Sequence, residues 1–414
     1  MTVRAAAAIG SVETRRSWLV ALTALAIVTV SFGAPMITVV ALRPIAAAFG
    51  NLRAVPALSL ALAWLGSALG GIALAQLAER IGIRWTVILG ALMIAVGLVL
   101  ASLGERWSFY IGHGVFMGLL GNAGINAPLY VYVSRWFDRR RGTALALIAS
   151  GQAAAGTIWA PLFGHAIGWF GWARTMQLYA GCEILVIVPA AFLVLRALPG
   201  ALRVADNGTG PAPGALVLGL KSRTALGLIA AAGFCCCVPM AMPQGHLVAF
   251  CGDVGIPLTR GSAMLSVLLA CAFVGRQCWG VVADRIGGLR TVLAGSFCQI
   301  VAMTGFMLTR NEAGLFAVSV AFGLGFSGIV PAYVVAVREL FPASEASWRI
   351  PTVLLFSGSG MAMGGWLAGA IYDYAGFYAP AFAAGILFNL VNFIVVGTLV
   401  FRQSRFRSPL LARA

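Results

Sequence analysis

Charge is scarce in this sequence. Only 10% of its 414 residues are charged, against 61% that are hydrophobic, whereas a water-soluble domain carries roughly 25% charged residues. So little charge cannot cover a surface that faces water, which excludes a soluble globular protein. Lysine is nearly missing: Lys221 is the single one among 28 Lys+Arg. Together with heavy Ala and Gly use, this hints at a GC-rich bacterial genome. The HExxH, GxSxG and paired intramembrane aspartate patterns of membrane enzymes are absent, as is the GxxxxGK[ST] nucleotide loop. No enzyme, ATP-driven pump or cofactor is therefore expected. A disulfide framework is also missing. The eight cysteines lie mostly in apolar stretches of the second half, where cysteine acts as a small apolar residue. Cys235, Cys236 and Cys237 are consecutive, so on a helix they point to different faces and are poorly placed to share a metal.

What is present is long apolar runs. Windows of ~20 apolar residues mark membrane-crossing helices, and twelve are found: 17–42, 55–77, 86–103, 107–134, 142–166, 172–197, 223–249, 260–283, 291–309, 313–337, 350–372 and 378–401. We number them spans 1 to 12. The first is too long for a cleaved signal and is expected to be retained. The net charge of +16 segregates on these spans, which argues against nucleic-acid binding. Arg43, Arg53, Arg106, Arg174, Arg260 and Arg310 fall on one side and Arg276 inside a span. All other Lys+Arg fall with the termini and the loops after even-numbered spans. By the positive-inside rule both termini are cytoplasmic. The expectation is a multi-pass, monomeric protein of a bacterial inner membrane, surrounded by lipid.

Two segments repeat. ERIGIRWTVILG (Glu79–Gly90) and DRIGGLRTVLAG (Asp284–Gly295) lie 205 positions apart and share six residues without a gap. Between the halves, Pro199–Leu220 is rich in Pro and Gly and has no long apolar run, as a linker does. The expected organisation is an all-α integral membrane protein: a six-helix bundle over 1–198, a cytoplasmic linker over 199–222 and a second bundle over 223–414. The short linker and tail leave no room for an appended signalling domain.

Two parallel six-helix repeats are the plan of the major facilitator superfamily, which this chain resembles in specific residues. Its loop signature GxxxDRxGRR is matched by Gly280, Asp284, Arg285, Gly287 and Arg290, with the last arginine displaced by one. The first copy is degenerate, with Ala75 for the glycine and Glu79 for the aspartate. A carboxylate followed by Arg at a helix C-terminus can pair with a neighbouring helix. Glu79, Arg80, Asp284, Arg285, Arg139 and Arg140 are therefore expected to form a cytoplasmic gate. The junction SRWFDRRRGTALALIASGQAAAG (Ser134–Gly156) is similar to that of the monocarboxylate transporters and the oxalate:formate antiporter group. The likeness covers the chain at the level of spans, but only a few short segments are distinctive.

Arg276 lies eight residues before Asp284, about 12 Å deep at 1.5 Å per residue, in a half-membrane of about 15 Å. A guanidinium there is costly unless it meets water or an anion. Its counterpart 205 positions earlier is Gly71, so duplication alone does not require it. Its planar fork suits a carboxylate. In the families it resembles, a span-8 arginine binds the substrate carboxylate, and Arg276–Gly280 matches their R-x-x-x-G. Three departures matter. Ala272 stands where the mammalian-type monocarboxylate transporters carry an aspartate. The span-1 stretch from Pro35 lacks their lysine, and span 11 lacks the antiporter's lysine. A single intramembrane cation suits one carboxylate and speaks against oxalate. Coupling by the known aspartate is in question.

Further candidates follow from spacing. Asn122, Asn126 and Tyr130 share one face of span 4. Gln152 and Trp159 lie in span 5, and Tyr333, Ser357 and Ser359 in spans 10 and 11. Pro239 and Pro243 permit bending of span 7, near Gln244 and His246. His246 could carry a coupling proton, ahead of His113 and His165. Glu183 is the one acid inside span 6 and a second coupling candidate. The resulting expectation is a secondary transporter of small monocarboxylates working by alternating access, driven by a proton or a counter-anion. Arg276 with Asn122, Asn126, Tyr130, Gln152 and Tyr333 would bind the substrate. The alternative is an exporter of amphipathic drugs or neutral metabolites.

Overall fold

In the computed structural model, described for residues 13–137, 140–195, 216–342 and 345–411, the chain is helical throughout. The one exception to helix and turn is an isolated bridge between Val217 and Leu220. Eleven helices among the described residues are long and apolar enough to cross a membrane. Span 1 is Arg15–Ser31 continued by Gly33–Val40; span 2 is Ala54–Ile81 and span 3 Ile83–Ala101. Span 5 is Arg141–Ala149 and Gly151–Phe170, and span 6 is Trp172–Val194. In the second half, spans 7 to 9 are Ser222–Asp253, Leu258–Ile286 and Gly288–Leu308. Span 10 is Glu312–Phe326 with Ile329–Leu340, span 11 is Ala346–Ala375 and span 12 is Ala379–Leu411.

Span 4 is expected from sequence but is not among the eleven. It is helical from Arg106 to Ser134, yet its middle, Gly112–Asn122, is wound as a π-helix between α-helical ends. Such winding is rare and usually marks a functional segment. Glycine makes it tolerable here by letting backbones touch. A Cβ on Gly118 would sit 2.6 Å from the Ala63 carbonyl oxygen of span 2, and one on Gly97 of span 3 would sit 2.6 Å from that of Gly112. Small residues allow this approach in lipid.

The duplication extends beyond the two motifs. Gly50 and Gly255, Gly82 and Gly287, and Gly171 and Gly376 are each related by the same 205-residue offset, and all six have positive φ between 74° and 91°. These turns need glycine because a Cβ disfavours that backbone region. The chain therefore forms two six-helix bundles with matched turns. Twelve passes put both chain ends on one face, the termini face; the opposite one is the far face.

The bundles pack through spans 5 and 8 and through spans 2 and 11. The linker lies almost wholly outside the described residues, as does Arg139. Three of the aromatic and polar groups noted in the sequence turn out to be internal to a bundle. His113 pairs with Thr38 at 2.8 Å, and Trp159 donates to the Thr29 carbonyl at 3.1 Å. Tyr333 departs from its expected place at the cavity. It is fully buried in the second bundle, where its hydroxyl donates to Asn392 at 2.5 Å. Asn392 in turn donates to Ser296 and Asn389, and Asn389 donates to Gln299.

Candidate functional site

A central cavity separates the bundles. Its wall is mostly apolar, with Phe32 and Trp64 6.0 Å apart between ring centroids, together with Met36 and Met361. Four polar side chains interrupt it: Ser67, Asn122, Gln152 and Gln244. Among the described residues no charged one lines it. Asn122, at the C-terminal end of the π-wound segment, is almost fully buried and its Oδ1 has no partner. Asn126 and Tyr130 continue the same helix half-buried, but they are not part of the lining. The tighter α-helical winding after Asn122 carries them toward the termini face.

Arg276 is not among the residues lining this cavity and lies beyond it toward the termini face. Leu269, seven residues earlier on the same helix face, lines the cavity, which puts Arg276 about 10 Å further along the axis. The guanidinium is anchored across the bundle interface, with Nη1 donating to the Ala149 carbonyl at 2.7 Å. That carbonyl is available because span 5 breaks at Ser150, between Ala149 and Gly151. A helix end leaves carbonyls without intrahelical donors. Gln277 next to Arg276 reaches the Ser150 hydroxyl at 3.4 Å, and Ser266 donates to the Thr157 carbonyl at 2.6 Å. Tyr130 interacts electrostatically with the same guanidinium. Nε of Arg276 is buried and has no partner. The anchored Nη1 thus leaves the Nε–Nη2 edge, which can hold both oxygens of a carboxylate.

Opposite Arg276, the far face is closed by an ionic cluster that joins the bundles. Arg53, before span 2, grips Asp253 at the end of span 7, with Nη1 and Nη2 at 2.6 and 2.5 Å from its two oxygens. Nη1 also donates to the Tyr378 hydroxyl at 2.8 Å, and the guanidinium carbon lies 3.6 Å from the Tyr372 ring centroid. Asp373 accepts from the backbone N–H groups of Arg53 and Ala54, both at 2.8 Å. It thereby caps the N-terminus of span 2 from the other bundle, where a carboxylate is favoured. Arg43 adds a longer contact to Asp253 at 3.6 Å. Burial works against the Arg53 charge, but Asp253 and Tyr378 outweigh it and raise its pKa above that of an ordinary arginine.

His246 sits directly behind this cluster. Its ring is buried, with Nδ1 2.9 Å from the Tyr378 hydroxyl and Nε2 2.8 Å from the Gly365 carbonyl. Gly365 itself lines the cavity. Glu183, the other coupling candidate, is fully buried in the first bundle with neither oxygen partnered, away from the cavity wall.

At the termini face the expected gate residues make different contacts. Glu79 pairs with Arg135 of its own bundle. The Arg140 backbone N–H donates to Glu13, again within the first bundle. Arg80, Asp284 and Arg285 are exposed. The loop of the second copy is held by Glu339, which accepts from the Gly288 N–H at 3.1 Å. Arg349, which sequence reading passed over, is buried between Glu345 and Ser222 of its own bundle. Each of these contacts stays inside one bundle, whereas the far-face contacts cross between them.

Comparison with known proteins agrees with this architecture. The family model described as Major Facilitator Superfamily matches residues 19–347. A protein named MFS-type transporter from Gibberella moniliformis is 27% identical over 304 residues, covering 72% of this chain and 70% of its own length. Monocarboxylate transporter 13 of Bos taurus is 25% identical over 355 residues, covering 83% of this chain and 79% of its own. Among solved structures, a bacterial homolog of the human lysosomal transporter Spinster, inward-facing and occupied, has a TM-score of 0.71 at 15% identity. It covers 95% of this chain and 98% of its own. The E. coli fucose:proton symporter has a TM-score of 0.59 at 16% identity, with 93% and 99% covered.

Proposed function

The chain belongs to the Major Facilitator Superfamily, and from that premise we propose that it is a secondary transporter of small monocarboxylates. The observation that carries this reading is the free Nε–Nη2 edge of Arg276, a buried cation anchored by Nη1 to a broken helix. A substrate carboxylate takes that edge. Its body extends toward Gln152 and Asn122 and the Phe32–Trp64 wall, so the body is neutral or apolar. The resemblance to a protein named as a monocarboxylate transporter supports the same class.

Transport proceeds by alternating access. The far face is tied here by Arg53, Asp253 and Asp373, while the Glu79 and Asp284 loops are not tied to each other. In the opposite state the far-face ties release and the loops become the gate. Neutralising Arg276 with an anion removes a buried charge and favours closure around the substrate. The clustering of arginine with the termini supports a cytoplasmic termini face, and the arginine-rich composition supports a bacterial inner membrane. The carrier works as a monomer, and a proton or a counter-anion drives it.

The cavity wall itself is uncharged, which favours as a second reading the export of neutral amphipathic compounds. The two readings part at Arg276. In proteoliposomes, Arg276→Ala is expected to abolish carboxylate uptake while the protein remains folded and monodisperse. Carboxylate uptake that survives the substitution would sink the first reading, and carriage of neutral compounds by the same variant would favour the second.

A further inference from the structure

The hydrogen bonds around His246 form a chain with a fixed direction. The Gly365 carbonyl can only accept, so Nε2 carries the ring proton and donates to it at 2.8 Å. In the neutral ring Nδ1 is then a lone pair, and the Tyr378 hydroxyl donates to it across 2.9 Å. The Tyr378 oxygen in turn accepts from Nη1 of Arg53 at 2.8 Å, and Arg53 grips Asp253 with both terminal nitrogens. With a neutral His246 of this tautomer every position in the line is filled once, so the closed far face is matched to that form.

We propose that His246 is the proton site of the carrier, and that a proton on its Nδ1 releases the far-face latch through Tyr378 and Arg53. A proton from far-face solvent adds to the Nδ1 lone pair, and no bond other than N–H forms. Two hydrogens then contend for the 2.9 Å line between Nδ1 and the phenol. The hydroxyl hydrogen must swing away, and the phenol oxygen must accept from two cations at once. Those cations, imidazolium and guanidinium, lie on either side of one oxygen and repel. Arg53 is displaced, and Asp253 and the Asp373 cap lose their partner from the other bundle.

The surrounding groups do not blunt this effect. Tyr378 faces the ring from the second bundle, with Tyr372 stacked on it. Arg53 reaches it through Tyr378 from the first bundle; Asp253, two turns along its own helix, pairs with Arg53 and Arg43, and Asp373 caps span 2. Cys251 lies on the same helix, and Arg310 stacks on Phe250 beyond it. Of these, the imidazole is the group whose charge ordinarily changes between pH 5 and 8. By linkage, closing the latch expels the proton as strongly as the proton opens the latch. That is the alternation a proton-coupled carrier requires: the proton favoured with the far face open, and disfavoured once it has closed.

The inference deepens the transport reading but rests on it only in calling the latch a gate, and its test needs no substrate. The backbone amides of Arg53 and Ala54 are covered by Asp373 only while the latch is shut. Hydrogen–deuterium exchange of the purified full chain, corrected for intrinsic rates, reads them directly. Below the pKa that His246 has with the latch open, wild-type protection is expected to fall by up to about tenfold per pH unit. His246→Gln should hold protection flat from about pH 8 to about pH 5, and Tyr378→Phe should remove most of the dependence while leaving the histidine in place. Wild-type protection that ignores pH, or a His246→Gln variant that keeps the wild-type profile, overturns the proposal. Neither result bears on Arg276, and loss of carboxylate recognition would leave the latch result standing.

Discussion

The two bundles share their turns and differ in what holds their helices together. In the second, Ser296, Gln299, Asn389, Asn392 and Tyr333 form one buried hydrogen-bonded cluster linking spans 9, 10 and 12, and Gln299 reaches the Cys236 carbonyl of span 7 at 3.3 Å. The same places in the first bundle are Ala91, Ile94, Ile184, Ile187 and Pro128. That bundle relies instead on glycine contacts of the π-wound span 4 with spans 2 and 3. The charged chemistry divides in the same way. Arg276 and His246 stand in the second bundle opposite Gly71 and Ala41 of the first. At the cavity the first bundle contributes neutral partners, Asn122, Gln152 and the Ala149 carbonyl, while its arginine Arg53 serves the far-face latch. Around the cavity one half thus presents the cation, and the other a close-packed surface that supplies dipoles to it. Duplication supplied the frame, and divergence of single positions supplied the function.

The largest effect should come from breaking the first bundle's glycine contacts. Gly118→Leu would drive a side chain into the Ala63 backbone 2.6 Å away, and no monodisperse protein is expected on size exclusion. The equivalent assault on the second bundle is chemical. Asn392→Leu strips partners from Tyr333, Ser296 and Asn389, and each buried group left unsatisfied costs about 1–3 kcal/mol. Thermal unfolding in detergent should show a lower midpoint, and an unchanged midpoint would mean the cluster is not what binds that bundle. The smallest effect belongs to the Glu79–Arg135 pair, whose side chains are 54% and 42% exposed. Glu79→Gln should change stability by less than ~1 kcal/mol. A large change there would reveal a role beyond the exposed pair seen here.

Much of this frame is legible in the sequence. Apolar length marks the spans, and the repeat sets the offset that the positive-φ glycines later obey. Arg276 stands out because a cation in a span has no ordinary reason to be there. The far-face latch is not legible, for a physical reason. Arg53 and Asp253 are 200 residues apart and each looks like a solvated charge at a helix end; only the docking of the bundles brings them together. The π winding leaves no mark on hydropathy, so the register of Asn122 against Asn126 and Tyr130 cannot be read from i, i+4 spacing. Tyr333 fails similarly, since a tyrosine after a glycine-rich stretch reads alike whether it faces a cavity or a core. Its partner Asn392, 59 positions on, is the signal that could have reassigned it.

The claim on which the account turns is that the Nε–Nη2 edge of Arg276 recognises a carboxylate. The most direct measurement is a thermal-shift titration of the purified protein with small monocarboxylates, each paired with its own primary amide, such as phenylacetate with phenylacetamide. Wild-type protein should be stabilised by an acid and not by the matching amide, because a ligand stabilises the state it binds. In Arg276→Gln that preference should vanish. An amide that stabilises as well as its acid, or a preference that persists without Arg276, would contradict the account.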